Sequence, residues 1–124
     1  MGKKLITDEG KNELLRLGFK SGNKSSFQYM ALGSSESKGA QGGNFVEVGQ
    51  RVKTTVEDPK NKEITITATF DENNDADGST IAEIGLCNDV THTSGETFFM
   101  YSEVPNIPKE DNISLQYTII ISIE

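Results

Sequence analysis

The chain of 124 residues is long enough for one domain and too short for a second core. Nineteen acidic residues against twelve basic ones give a net charge of −7, which argues against a nucleic-acid binder, whose phosphate contacts need a basic face. No apolar run approaches the roughly 20 residues of a helical membrane span, and a lone cysteine, Cys87, allows no intramolecular disulfide, so packing alone must hold the fold.

Met1 to Ile6 contains two lysines with no apolar stretch after them, and Ile6 stands where a myristoylation signal needs Ser or Thr. Neither an export signal nor a lipid anchor is expected. Thr7 followed by Asp8 and Glu9 is a helix start: a hydroxyl caps the first turn and two acids face the positive end of the dipole. The predicted helix spans about 7–18, with Leu14, Leu15 and Leu17 as its apolar stripe, Gly18 or Gly22 as its stop, and Leu5 and Ile6 packing back on it.

The remainder, about 26–124, reads as β structure. Phe27 to Leu32 is short and aromatic-rich, a strand buried on both faces, and a flexible Gly/Ser-rich loop is expected over about 33–45. From Val46 the apolar period becomes two: Val52, Thr54 and Val56 form one strand, a turn falls at Asp58 to Asn61, and Ile64, Ile66, Ala68 and Phe70 form its antiparallel partner. An acidic loop, Asp71 to Gly78, leads to a buried strand, Ile81 to Cys87. The turn cluster Asn88 to Gly95 leads to Thr97 to Tyr101, a strand that Pro105 and Pro108 should end. Ile113 to Ile123 alternates without a break, except that Ile120 falls on its polar face and needs a cover, either the helix or another subunit. These elements define a mainly β fold: an antiparallel β-sandwich or flattened barrel with one short N-terminal helix, in a single domain.

Chemistry-bearing residues are sparse. His92 stands alone in a turn with no Gly-x-Ser-x-Gly elbow, and one Cys with one His is too few for structural zinc. Setting Asn73, Asp75, Asp77 and Gly78 on the first six positions of an EF-hand places Ile84 where the bidentate glutamate belongs, so only an irregular calcium site from Asp71, Asp75 and Asp77 remains to consider. The Gly39 to Asn44 stretch lacks a phosphate-loop pattern, and the paired carboxylates Glu57-Asp58 and Glu110-Asp111 sit in turns. No catalytic constellation and no cofactor are expected. Alternation puts Phe98 and Met100 on one face and Phe99 and Tyr101 on the other, which makes Phe99, Tyr101 and Ile120 the candidate interface residues. Cys87 reads as a small core residue.

The order of segments carries a resemblance. Leu5-Ile6-Thr7-Asp8-Glu9-Gly10 before a short Leu-rich helix, Phe27 to Ser34 ending Ala31-Leu32-Gly33, the Arg51-Val52 strand, Ile81-Ala82-Glu83-Ile84-Gly85-Leu86-Cys87, Gly95 to Tyr101 and a final alternating-Ile strand together resemble small tail-fibre or baseplate-associated proteins of tailed bacteriophages and prophages. Thr7, Asp8, Gly10, Ala31, Leu32, Gly33, Glu83, Gly85 and Leu86 stand at matching places; Cys87 departs from the aromatic common there, and no fibrous segment follows the last strand in this sequence. The resemblance implies a non-enzymatic structural module made in the bacterial cytoplasm and assembled into the virion tail. Its partners would be copies of itself, in a trimer or larger ring, and other phage tail proteins, with no nucleic acid and no membrane insertion. A host-surface glycan is a further candidate partner. The alternative is a carbohydrate- or calcium-binding β-sandwich module.

Overall fold

A computed structural model describes residues 6–20, 26–34, 45–72, 74, 76, 78–90 and 98–124. Helix α1 covers Asp8–Phe19, and the Thr7 hydroxyl accepts from the Gly10 backbone N–H at 3.0 Å, which makes Thr7 the N-cap. The buried face differs from the expected leucine stripe. Leu15 and Phe19, one turn apart, are buried, whereas Leu14 and Leu17 are each 54% exposed and Ile6 also faces solvent. The helix ends one residue beyond Gly18, because Ser26 and Phe27 satisfy its last carbonyls: the Ser26 hydroxyl donates to the Leu17 carbonyl at 2.8 Å and the Phe27 N–H to that of Gly18 at 2.7 Å. Asn12 fixes the other side of the helix, its Oδ1 accepting from the Lys62 N–H at 2.9 Å.

Among the described residues the helix is succeeded by seven strands: β1 Tyr29–Ser34, β2 Glu47–Lys53, β3 Thr55–Val56, β4 Glu63–Phe70, β5 Ser79–Cys87, β6 Phe98–Lys109 and β7 Leu115–Ser122. They form two antiparallel sheets, one ordered β2-β1-β5-β6 and the other β3-β4-β7, with no closure into a barrel. Met30, Leu32, Ile84 and Leu86 of the first sheet face Ile64, Ile66, Ala68, Phe70, Leu115 and Ile119 of the second, and Leu15 and Phe19 of the helix complete this core. The fold is therefore the expected β-sandwich with one helix. The strand after Phe27 is buried on both faces as its sequence requires, but it begins at Tyr29 and takes in Gly33 and Ser34, which the sequence assigned to a loop. Residues 35–44 of that predicted loop lie outside the described residues.

Several local expectations are corrected. Val46 to Val56 is not one strand: the chain leaves the first sheet at Lys53 and enters the second at Thr55. Thr54 is the pivot, its N–H and hydroxyl both donating to the Gln28 carbonyl, at 2.8 and 2.9 Å. Period-two patterning reports only which side of a strand faces the core, and both sheets face the same core, so a change of sheet is invisible to it. The β3–β4 turn falls two residues later than the expected Asp58 to Asn61. Lys60 and Glu63 exchange both backbone hydrogen bonds at 3.0 Å, and Asn61 and Lys62 take φ of 55° and 64°, the geometry of a two-residue hairpin turn with both central residues left-handed.

The Asp71 to Gly78 segment passes from the second sheet to the first. It is also pinned. Asn74 is buried, its Nδ2 donates to the Gln50 carbonyl at 3.1 Å, and its Oδ1 accepts from the Ala76 N–H at 3.0 Å. The pin meets β2 at Gly49, whose φ of +74° and lack of a side chain both matter: a Cβ there would lie 2.8 Å from the Ala76 nitrogen. Strand β6 runs through Pro105 and Pro108 instead of stopping before them. It is an edge strand, where a residue without an N–H is tolerated.

Candidate functional site

Strand β6 does not keep the alternation expected of it. Its register against β5 shifts between Leu86 and Cys87, which face Met100 and Phe98, so Phe99 is an extra residue without a partner of its own. The three candidate interface residues consequently lie apart. Phe99, 47% exposed, turns toward the helix and meets Phe19 edge-on with ring centroids 5.0 Å apart and Phe27 at 5.2 Å. Tyr101 joins Phe98 instead, stacked at 4.9 Å with planes 15° apart, and Phe45 closes on both rings. Ile120 sits on the other sheet altogether.

The stack of Phe98 and Tyr101 explains much of the motif-bearing sequence. In β1 and β5, Ala31 faces Gly85 and Gly33 faces Glu83, so the small residues of both segments share one face of the first sheet, directed away from the main core. A Cβ on Gly85 would lie 2.9 Å from the Phe98 ring and 3.2 Å from that of Tyr101; the glycine makes room for the rings. Arg51 fills the remaining space. It donates from Nε and Nη2 to the two Glu47 oxygens at 2.8 Å each and from Nη1 to the Asp89 carbonyl at 3.1 Å, with its guanidinium 5.1 Å from the Phe98 centroid. Cys87, beside this group, is buried and donates to the same Asp89 carbonyl at 3.5 Å. This fork of charge-assisted bonds with a ring beneath it is a packing device: the Arg51 side chain is 2% exposed and has no open side for a ligand.

Of the calcium candidates, Asp71 is exposed at the end of β4, and Asp75 and Asp77 lie outside the described residues. Among the described residues no three His, Cys, Asp or Glu side chains converge on a metal-sized site. Asn74, within the acidic loop, is a clamp whose two polar atoms are both used internally. His92 also lies outside the described residues. Lys20 reaches from the helix end to Asp58 at 2.6 Å and, by that hydrogen bond, holds the Asp58 carboxyl below the usual aspartate value. Arg16 pairs with Glu13 on the helix surface.

The second sheet offers two features of a different kind. Where the chain passes from β2 into this sheet, a shallow groove of about 460 Å³ is lined by Val52, Lys53, Thr55, Glu57, Thr67, Thr69 and Gln116. Thr67 and Thr118 bond between β4 and β7 at 3.3 Å, and Gln116 donates to Thr69 at 3.1 Å. The other feature is the edge formed by β7. The remaining three sheet edges are blunted: β2 is bent at Gly49, β3 has two residues, and β6 carries two prolines and two register shifts. Strand β7 pairs with β4 through eight uninterrupted positions, from Leu115 opposite Phe70 to Ser122 opposite Glu63. Its far side pairs with no strand among the described residues. From Ile113 to Ile123 there is no charge, proline or glycine, and Ile120 on its outer face is 62% exposed. The helix packs at the Lys62 end of β4 and does not cover it.

Comparison with protein-family models, with curated proteins and with solved structures yields no match to this chain. The class that the fold defines is an antiparallel two-sheet β-sandwich capped by one helix.

Proposed function

We propose that the chain is a non-enzymatic structural module of a phage or prophage tail, fibre or baseplate that assembles with itself and with neighbouring tail proteins. The observation that carries an assembly role is the β7 edge, unpaired among the described residues: eight regularly paired residues, uncharged, with a large aliphatic side chain exposed at Ile120. A monomer in solution gains nothing from such an edge and risks unwanted pairing, whereas a module that docks against other chains uses it. The tail assignment rests on the segment order that resembles tail-fibre and baseplate proteins, and the face shared by Ala31, Gly33, Glu83 and Gly85 gives that order a packing rationale.

The carbohydrate-binding alternative draws on the groove of the second sheet, whose Thr55, Thr67, Thr69 and Gln116 supply hydrogen-bonding groups. Among the described residues no aromatic ring lines that groove, so its described lining offers no flat apolar platform on which a sugar ring stacks.

Mass spectrometry of tail particles purified from a lysed culture of the encoding strain tests the proposal. We expect the chain in fixed ratio to the other tail proteins, and tails of a gene-deletion strain that are incomplete by electron microscopy. Particles that lack the chain, with unaltered tails after deletion, would refute it.

A further inference from the structure

We infer that the β7 edge is a homotypic contact, in which two copies pair their β7 strands antiparallel about a twofold axis at Ile119 to make one continuous six-stranded sheet. The inference deepens the assembly reading above and rests on it.

Backbone direction sets which groups are offered. The Ile123 N–H donates to the Lys62 carbonyl at 2.9 Å, in register with the β4–β7 ladder. Antiparallel strands alternate between residues bonded to one neighbour and residues directed to the other. The odd-numbered residues of β7 are thus committed to β4, and the N–H and C=O groups of Gln116, Thr118, Ile120 and Ser122 point to the open edge.

The side chains of this edge complement their own copy. With Ile119 opposite Ile119 of the second copy, Thr118 faces Ile120, Gln116 faces Ser122, Tyr117 faces Ile121 and Leu115 faces Ile123. All four outward N–H groups of each strand then meet outward carbonyls of the other. On the core side every cross-strand pair is apolar or aromatic, and the partly buried Tyr117, Ile121 and Ile123 gain further cover. On the outer face Ile120 lies beside a threonine methyl instead of water.

Charge leaves this edge as the approach open to a second copy. Each copy carries −7, so two copies repel at most approaches. Over Ile113 to Ile123 there is no acid to oppose its symmetry mate, and no lysine to attract a different, acidic strand. A second copy is the partner whose pattern the edge already matches. The twofold axis makes the assembly even-numbered, a dimer or a dihedral ring. Because the contact contains no ion pair, added salt strengthens it by screening the repulsion between copies.

The test combines light scattering with amide hydrogen exchange followed by NMR, on the full chain over a concentration series at low and high salt. We expect an even-numbered mass that grows with concentration and salt. The Gln116, Thr118, Ile120 and Ser122 amides should exchange about tenfold or more slowly in the assembled form than in the monomer. Ile120→Lys should abolish both effects and keep a cooperative thermal transition; Thr118→Pro, which removes one outward donor and leaves the β4 ladder intact, is the second variant should the first not fold. A chain that stays monomeric at millimolar concentration and high salt would overturn the inference. So would an oligomer whose four amides exchange as fast as those of Ile120→Lys, a result that leaves assembly standing through another surface. Absence from purified tails bears on the tail assignment alone.

Discussion

Replacing Gly49 with alanine should be among the most damaging small changes available to this protein. The residue sits at φ +74°, where a side chain costs about 1–2 kcal/mol from backbone sterics alone. The new Cβ would also stand 2.8 Å from both the nitrogen and the Cβ of Ala76, and backbone on the opposing side cannot move aside as a flexible side chain would. The loop must lift, which breaks the two Asn74 hydrogen bonds, at about 1 kcal/mol each. The expected loss is therefore about 3–4 kcal/mol. For a 124-residue chain with an unfolding entropy of about 260 cal/mol/K, this corresponds to a fall of about 12–15 °C in Tm. Calorimetry, together with urea unfolding, measures it. Asn74→Ala separates the contributions: it should cost about 2 kcal/mol, and the double variant should be less destabilised than the two single changes added together, because both break the same clamp. A Gly49→Ala protein within about 1 kcal/mol of the parent, or strict additivity with Asn74→Ala, would refute the reasoning.

Other substitutions probe the remaining devices. Lys62→Gly relieves left-handed strain in the β3–β4 turn and retains the backbone bond to Asn12, so urea unfolding should show a gain of about 0.5–1 kcal/mol. Tyr117→Phe removes a buried hydroxyl that has no hydrogen-bond partner among the described residues and should stabilise by about 1 kcal/mol in calorimetry. Burial raises the Tyr117 pKa above its ordinary value near 10, so the folded state holds this proton more tightly than the unfolded state. The parent should thus lose stability as pH rises through and above 10, and Tyr117→Phe should lose less. Arg51→Met leaves Glu47 without its bidentate partner and unseats Phe98; a loss of about 3 kcal/mol in chemical denaturation is expected, with Arg51→Lys recovering only part because an ammonium cannot reproduce the fork.

Where residue type alone determines local geometry, the sequence was readable. Thr7 caps its helix because a hydroxyl before two acids serves that end, and β4 and β7 alternate because each has one face in the core. Distant contacts decided the rest. Leu14 and Leu17 stand in solvent because the sheets meet the helix along the line of Leu15 and Phe19, a direction that three neighbouring leucines do not reveal. Asn61 and Lys62 form a tight turn without a glycine, held by the Lys60–Glu63 pairing and by Asn12 some fifty residues away. Of the candidate interface residues, Ile120 stood out because an isoleucine interrupts a polar face. Phe99 and Tyr101 were assigned a common face because the extra residue of β6 is set by β5, which the β6 sequence does not record. Gly49, Asn74 and Arg51 were missed as architectural residues: the first two owe their role to each other across the fold, and the third to a ring on a different strand.

The pairing of β7 with β4 also governs when this protein can fold. Phe70 meets Leu115 and Glu63 meets Ser122, partners more than a third of the chain apart. Until β7 leaves the ribosome, β4 has, among the described residues, only the two residues of β3 beside it, and the core around Ile64, Ile66 and Phe70 still lacks Leu115 and Ile119. Contacts between distant segments delay folding, so the nascent chain waits with one edge of β4 unpaired and its core incomplete. A stop codon before Leu115 would then yield a chain directed to proteolysis, and the cell would make either the whole sandwich or none of it.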